Sequence, residues 1–190
     1  DVTGTVTADG LTVAGNVSVD SGTIKLDGNY PTGTNNVALG NAALDSVTSG
    51  SQNVAIGRDV LTALTTGANN SAVGSAAMES LTSGQFNVGL GSSAAGGTTT
   101  GEYNVAIGHS ALLSNTTASN NTAVGGLSLD ANTTGTANTA VGMQSLSANT
   151  TASNNTAVGY QSLYANTTGT QNTAIGTDSL KANITGTGNT

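Results

Sequence analysis

An asparagine returns every 17 residues without a miss: Asn36, Asn53, Asn70, Asn87, Asn104, Asn121, Asn138, Asn155, Asn172 and Asn189. Nine complete units run from Asn36 to Gly188 with no insertion between them. A period this short and this strict implies a quasi-one-dimensional stack. Each unit is one coil of a solenoid and touches chiefly the coils before and after it. The regularity also tilts function away from catalysis, because a surface repeated nine times has no obvious special place.

With the asparagine numbered position 0, position 3 is always aliphatic: Leu39, Ile56, Val73, Leu90, Ile107, Val124, Val141, Val158 and Ile175. Position 4 is always glycine, and position 2 is alanine in every unit but one, which has Gly89. Asn-(Val/Thr)-Ala-(Ile/Val)-Gly therefore reads as a short strand with position 3 as its inward aliphatic. The glycine supplies a positive φ or a close backbone approach at the corner.

The second half of the unit centres on position 8: Leu44, Leu61, Met78, Ala95, Leu112, Leu129, Leu146, Leu163 and Leu180. In the first three units positions 7 and 11 are apolar too, and 7, 8 and 11 have the spacing of one helical face. This predicts a short helical turn in each coil, with a second short strand as the alternative. From Asn115 onward position 11 is asparagine (Asn115, Asn132, Asn149, Asn166, Asn183). The unit at 87–103 carries Gly89, Ala95 and Gly96-Gly97, and is expected to be the weakest.

The fold class that follows is mainly β, a parallel β-solenoid or β-roll of 17-residue coils over residues 36–190. Residues 1–35 differ: short alternating runs broken by Asp9-Gly10 and Asp27-Gly28 read as three or four short strands. With so few large apolar groups they cannot form a core alone, so they are expected to intertwine or stack with partner chains. Tyr30-Pro31-Thr32-Gly33 reads as the junction, and the chain as a segment of a longer protein.

Composition narrows the partners. The net charge is −7, with only Lys25, Arg58 and Lys181 positive, so the basic stripe that binds nucleic acid is missing. An anionic membrane surface is equally disfavoured, and no run of 18 apolar residues suggests membrane insertion. Cysteine is absent, which excludes disulfides, thiolate metal sites and a cysteine nucleophile.

Candidate chemistry is sparse, and no catalytic, cofactor or metal residues are assigned. His109 is the only histidine, at a variable position 5, and reads as surface. Asp45, Glu79 and Asp130 share position 9 but never in adjacent units, too far apart to share one ion. The asparagines of position 0 read as a structural ladder bonded to backbone and to each other, as stacked asparagines are. Threonine and serine columns at positions 12 and 13 invite an ice-binding reading, although adjacent strand residues face opposite ways. Tyr160 and Tyr164 are candidates for stacking on a sugar, with packing the plainer reading.

The core expected inside the coils is the position 3 column together with Leu44, Leu61, Met78, Leu112, Leu129, Leu146, Leu163 and Leu180. Two large aliphatics per coil are a thin core against the entropy of ordering 17 residues. Valines and small residues at positions 1, 7 and 10 are left to contact identical chains.

Asn-Val-Ala-Ile-Gly (Asn53–Gly57, Asn104–Gly108) and the run Asn155–Gly169 resemble two related groups. One is the head repeat of trimeric autotransporter adhesins, a parallel β-roll with a shorter repeat. The closer similarity is to tail-fibre and appendage proteins of bacteriophages, notably marine, cyanophage-type ones, which run the longer repeat behind segments like Gly4–Val13. The resemblance implies a parallel homotrimer in a virion or extracellular setting, a structural shaft that serves host attachment. It implies other virion or fibre components as partners, and a host-surface receptor or glycan. The alternative it leaves is the adhesin head of a bacterial surface protein.

Overall fold

The structure, a computed structural model, describes residues 33–190. The short-stranded segment expected over 1–35 lies, apart from its last three residues, outside the described residues.

Each coil contributes one three-residue strand: β1 (Val37–Leu39), β2 (Val54–Ile56), β3 (Ser71–Val73), β4 (Val88–Leu90), β5 (Val105–Ile107), β6 (Thr122–Val124), β7 (Thr139–Val141), β8 (Thr156–Val158) and β9 (Thr173–Ile175). They form a single parallel sheet in chain order. The register advances by one repeat at every step, so that Ala55 pairs with Ala38 on one side and with Ala72 on the other. The chain is therefore a parallel β-solenoid of 17-residue coils.

Among the described residues there is no helix, which corrects the helical turn expected in the second half of each coil. The reason is spacing. An α-helix is about 10 Å across and bonds its amides within itself, whereas stacked coils lie about 4.8 Å apart and need those amides for one another. The chain instead turns through residues of left-handed conformation at positions 6 and 8, for example Ser110 (φ 53°) and Leu112 (φ 56°). Their amides bond to neighbouring coils in opposite directions: Ser110 N donates to Ser92 O at 2.9 Å, and Leu112 N donates to Ser128 O at 2.9 Å. A left-handed leucine costs about 1–2 kcal/mol. Each is held by the burial of its own side chain, complete at Leu44, Leu61, Leu112, Leu129, Leu146 and Leu163.

Position 4 does require its glycine. Gly108 has φ +130°, and a Cβ there would meet the carbonyl carbon of Gly125 in the next coil at 2.7 Å. The corner is both left-handed and in close contact with its neighbour.

The interior is built from positions 0, 2, 7, 8, 11 and 14. Position 2 is buried throughout the middle of the rod, as Ala55, Ala72, Ala106, Ala123, Ala140 and Ala157 show. This corrects the inward assignment of position 3. Leu39, Ile56, Val73, Leu90, Ile107 and Ile175 are exposed, and Val124, Val141 and Val158 are half-buried on the same outer face. The period of two in a strand decides it: a buried asparagine at position 0 puts position 2 inside and positions 1 and 3 outside. Position 7, expected to be left for partner chains, is interior as well, with Val60, Ala77, Ala94, Ala111, Ser128, Ser145 and Ser162 buried. The position 8 column is core as expected, Leu180 in the last full coil being partly buried against it.

The coil at 87–103 compensates for its small residues. A Cβ at Gly89 would lie 2.8 Å from Cε of Met78. The methionine of the preceding coil thus fills the space an alanine occupies elsewhere. This pairing is testable by a double-mutant cycle on thermal unfolding. Gly89→Ala and Met78→Leu each destabilise alone, the first by overpacking and the second by loss of fill. Together they restore the leucine and alanine of the other coils, giving a favourable coupling of about 0.5–3 kcal/mol.

Candidate functional site: the outer face of the sheet

The position 0 asparagines form a continuous internal column. The backbone N–H of each donates to Oδ1 of its predecessor in all nine steps from Asn36 to Asn189, at 2.9–3.0 Å. The side-chain Nδ2 bonds across its own coil to the position 14 carbonyl, as Asn53 does to Gly67 O at 3.0 Å. Along most of the column it also donates to the previous Oδ1, as from Asn70 to Asn53 at 3.1 Å. Asn53 through Asn172 are buried, so these bonds are made away from water, where an orphaned amide is costly. The ladder is structural, as expected.

A second asparagine column joins it at position 11. Asn132 Nδ2 donates to Asn115 Oδ1 at 3.1 Å and to Gly135 O at 3.0 Å, and that same carbonyl accepts from Asn121 Nδ2 at 2.9 Å. In the latter half of the rod each position 14 carbonyl thus accepts from two asparagines. In the earlier half, where Leu64 and Leu81 occupy position 11, it accepts from one, as Gly84 O does from Asn70. Thr98 sits at the change: it is buried, and its Oγ1 accepts from Asn115 Nδ2 at 3.3 Å. Sequence reasoning noted the second column but assigned it no role.

The threonines of position 12 are also committed. Thr65 Oγ1 donates to Thr82 O at 3.1 Å, and the pattern repeats from Thr48 to Thr167. Hydroxyls that bond the backbone of the next coil are a further structural ladder, and this weakens the ice-binding reading of that column.

The remaining candidates do not converge. His109 is exposed at its corner. Asp59 and Glu79 line an open depression of about 460 Å³ with Ser46, Thr62 and Ala63. Arg58 pairs with Asp59, and the Oγ1 of Thr62 is buried without a hydrogen-bond partner. Among the described residues no group of three or more His, Asp or Glu side chains lies close enough to hold a metal. Asp130 accepts from Ser147 Oγ at 2.7 Å. Tyr160 is exposed while Tyr164 is half-buried; Gln161, between them in the chain, donates to Gln144 Oε1 at 2.8 Å.

What stands out is the outer face of the sheet. Positions 1 and 3 of β1 to β9 are aliphatic, threonine or serine, and none is charged. From Leu39 to Ile107 the position 3 side chains are 36–45% exposed, in register along the rod. Nine strands at about 4.8 Å, each of three residues at about 3.3 Å, make a band of roughly 43 by 10 Å, or about 430 Å². Within it the position 3 column is a continuous line of aliphatic side chains, joined in the early coils by the half-buried valines of position 1. Sequence reasoning found these residues but placed them on the wrong side of the backbone.

Compared with protein families, curated proteins and solved structures, the chain matches none of them.

The two asparagine columns make unequal demands on the halves of the rod. Asn70→Ala leaves Gly84 O and the Asn87 N–H without these partners, whereas after Asn138→Ala the Ala152 carbonyl keeps its bond from Asn149. Asn70→Ala is therefore expected to cost about 1–3 kcal/mol more, the penalty of one more orphaned buried group. Paired urea titrations of the two variants would measure the difference; equal losses would contradict it.

Proposed function

We propose that this chain is a shaft segment of an extracellular fibre, built by lateral association of identical copies through the outer face of the sheet. The observation that carries the reading is the charge-free outer face of the sheet, whose position 3 aliphatics are exposed or half-buried in register along the single chain. A face that repeats every 17 residues is best matched by a surface with the same repeat, which is another copy of the same chain. Covering it removes aliphatic area from water at about 25 cal/mol per Å² and strips no ion of its hydration.

The number of copies and the setting rest on the resemblance of Asn53–Gly57, Asn104–Gly108 and Asn155–Gly169 to phage tail-fibre repeats. On that basis the assembly is a parallel homotrimer, and the fibre is a virion appendage serving attachment to a host cell. Its work is mechanical: reach, stiffness and resistance to unfolding. The coil-to-coil bonds of the asparagine and threonine columns supply these along the whole described rod. An enzymatic role has no residues behind it in this reading.

Two measurements test it. Light scattering behind a sizing column should give three times the chain mass of 18.3 kDa; a folded monomer at tens of micromolar would refute lateral association. Ile107→Lys puts an ammonium in the middle of the band. Because the side chain projects outward, the coil should keep its circular dichroism. Burying an unpaired charge at the interface costs about 3 kcal/mol or more, so association should weaken by about a hundredfold.

A further inference from the structure

Association through a face repeated nine times leaves the axial register poorly defined. Sliding one copy along another by a single coil replaces nearly every contact with an equivalent one and forfeits only those of the end coil. Through the first five strands, columns 1 and 3 offer little to distinguish one level from the next: Val, Val, Ser, Val, Val and Leu, Ile, Val, Leu, Ile.

Position 16 does distinguish the levels. Its residues are Asn35, Gln52, Asn69, Phe86, Tyr103, Asn120, Ala137, Asn154 and Gln171, all with positive φ. Asparagine tolerates that conformation, whereas a bulky side chain there is an outlier. Phe86 (φ 57°) and Tyr103 (φ 55°) nevertheless occupy it in consecutive coils. Their rings stack with centroids 5.0 Å apart and planes 7° apart, and they remain 45% and 54% exposed. Projecting outward, they add nothing to the interior of the coil at 87–103. They lie at the N-terminal margin of β4 and β5, two residues before Val88 and Val105 of the outer face.

We infer that the Phe86–Tyr103 stack is a register key, seated against a second copy of this chain and fixing the axial level at which copies associate. The inference rests on the self-association reading above. The band alone, at roughly 430 Å², falls short of the about 800 Å² per partner of a stable interface. Aromatic side chains that bury about 150–250 Å² each are the usual anchors of such surfaces. A slip of one coil exchanges an aromatic level for the level of Asn69 or Asn120. One ring is then left in water and an amide is desolvated in its place, so the wrong register is penalised as well as the right one favoured.

The chain has no cysteine, so introduced thiols report without background. Cysteines at Val54, Ser71 and Val88, all at position 1 of consecutive coils, are placed in separately tagged full chains. Disulfide formation is then followed between Ser71→Cys chains and each of the three. A disulfide needs Cα atoms within about 7 Å, so a shift of one coil, about 4.8 Å, changes which pair can form. With the aromatic pair intact, one of the three offsets should exceed the others by about tenfold or more, a strong preference on the scale of association equilibria.

In Phe86→Asn/Tyr103→Asn chains, which carry the residue of Asn69 and Asn120, the offsets should become comparable while the mass of the assembly persists. A parent chain that is monomeric by light scattering overturns the self-association reading and this inference with it. Equal offsets in an associated parent, or a single surviving offset in the double variant, overturn the register key and leave self-association standing. A purely structural staple between coils would lower the melting temperature of the variant without redistributing the offsets.

Discussion

The fold depends on backbone hydrogen bonds that run from coil to coil, with the position 0 asparagine side chains closing each coil across its own loop. Position 1 donates forward to position 0 of the next coil, as from Val105 N to Asn121 O. Position 4 donates backward to position 3, as from Gly108 N to Leu90 O. A single coil in isolation would leave these groups to water and keep only its asparagine closure and a few short-range bonds. The asparagine column turns that dependence into specificity. Its Oδ1 captures the amide of the next asparagine, and its Nδ2 ties the strand to the opposite wall. An aspartate could accept but could not also donate, and an aliphatic could do neither. This explains why the residue is asparagine in ten successive coils.

The interior then divides the rod into two regimes. In the early coils leucine or valine fills position 11 and position 7 is alanine or valine, so cohesion comes from apolar packing around one asparagine column. In the later coils asparagine takes position 11, and serines at position 7 return their hydroxyls to the position 4 carbonyl, as Ser128 does to Gly125 O at 2.8 Å. Both solutions fit the same 17-residue outline. Thr98 suits the join: it is buried at the position that Leu81 fills one coil earlier, and its hydroxyl oxygen accepts from Asn115 one coil later. A direct step from leucine to asparagine would leave the first amide of the second column without that partner.

The period, the solenoid, the parallel order and the structural asparagine ladder were all legible in the sequence, because each follows from spacing alone. Three readings were not, and each failed for a physical reason. The 7, 8, 11 spacing looks helical, but alternating right- and left-handed residues also bring those side chains to one side. Only the coil spacing shows that a helix does not fit. Position 3 looks like core because it is invariably aliphatic, although a buried Asn36 or Asn53 already fixes Ala38 and Ala55 as its inward companions. Phe86 and Tyr103 were passed over because position 16 looks irregular in sequence; their importance lies in a backbone conformation and a ring contact that no composition displays.

The outward aliphatics and the inward asparagines are two consequences of one cross-section. Across from Ala106 the interior must already hold Ala111, Leu112 and the asparagines at positions 0 and 11, all of them buried. Where Leu64 and Leu81 fill position 11 a second large aliphatic is accommodated in place of an asparagine, but position 2 holds only alanine or glycine, and the close-packed interior has no room for a further one there. The residues that carry the most apolar area, Leu39, Ile56, Leu90 and Ile107, are therefore left exposed on the outer face. The nine strands carry no charged residue, so among the described residues the acidic groups lie elsewhere on the coils. Under the proposed self-association, copies would therefore meet through a face that carries no carboxylate.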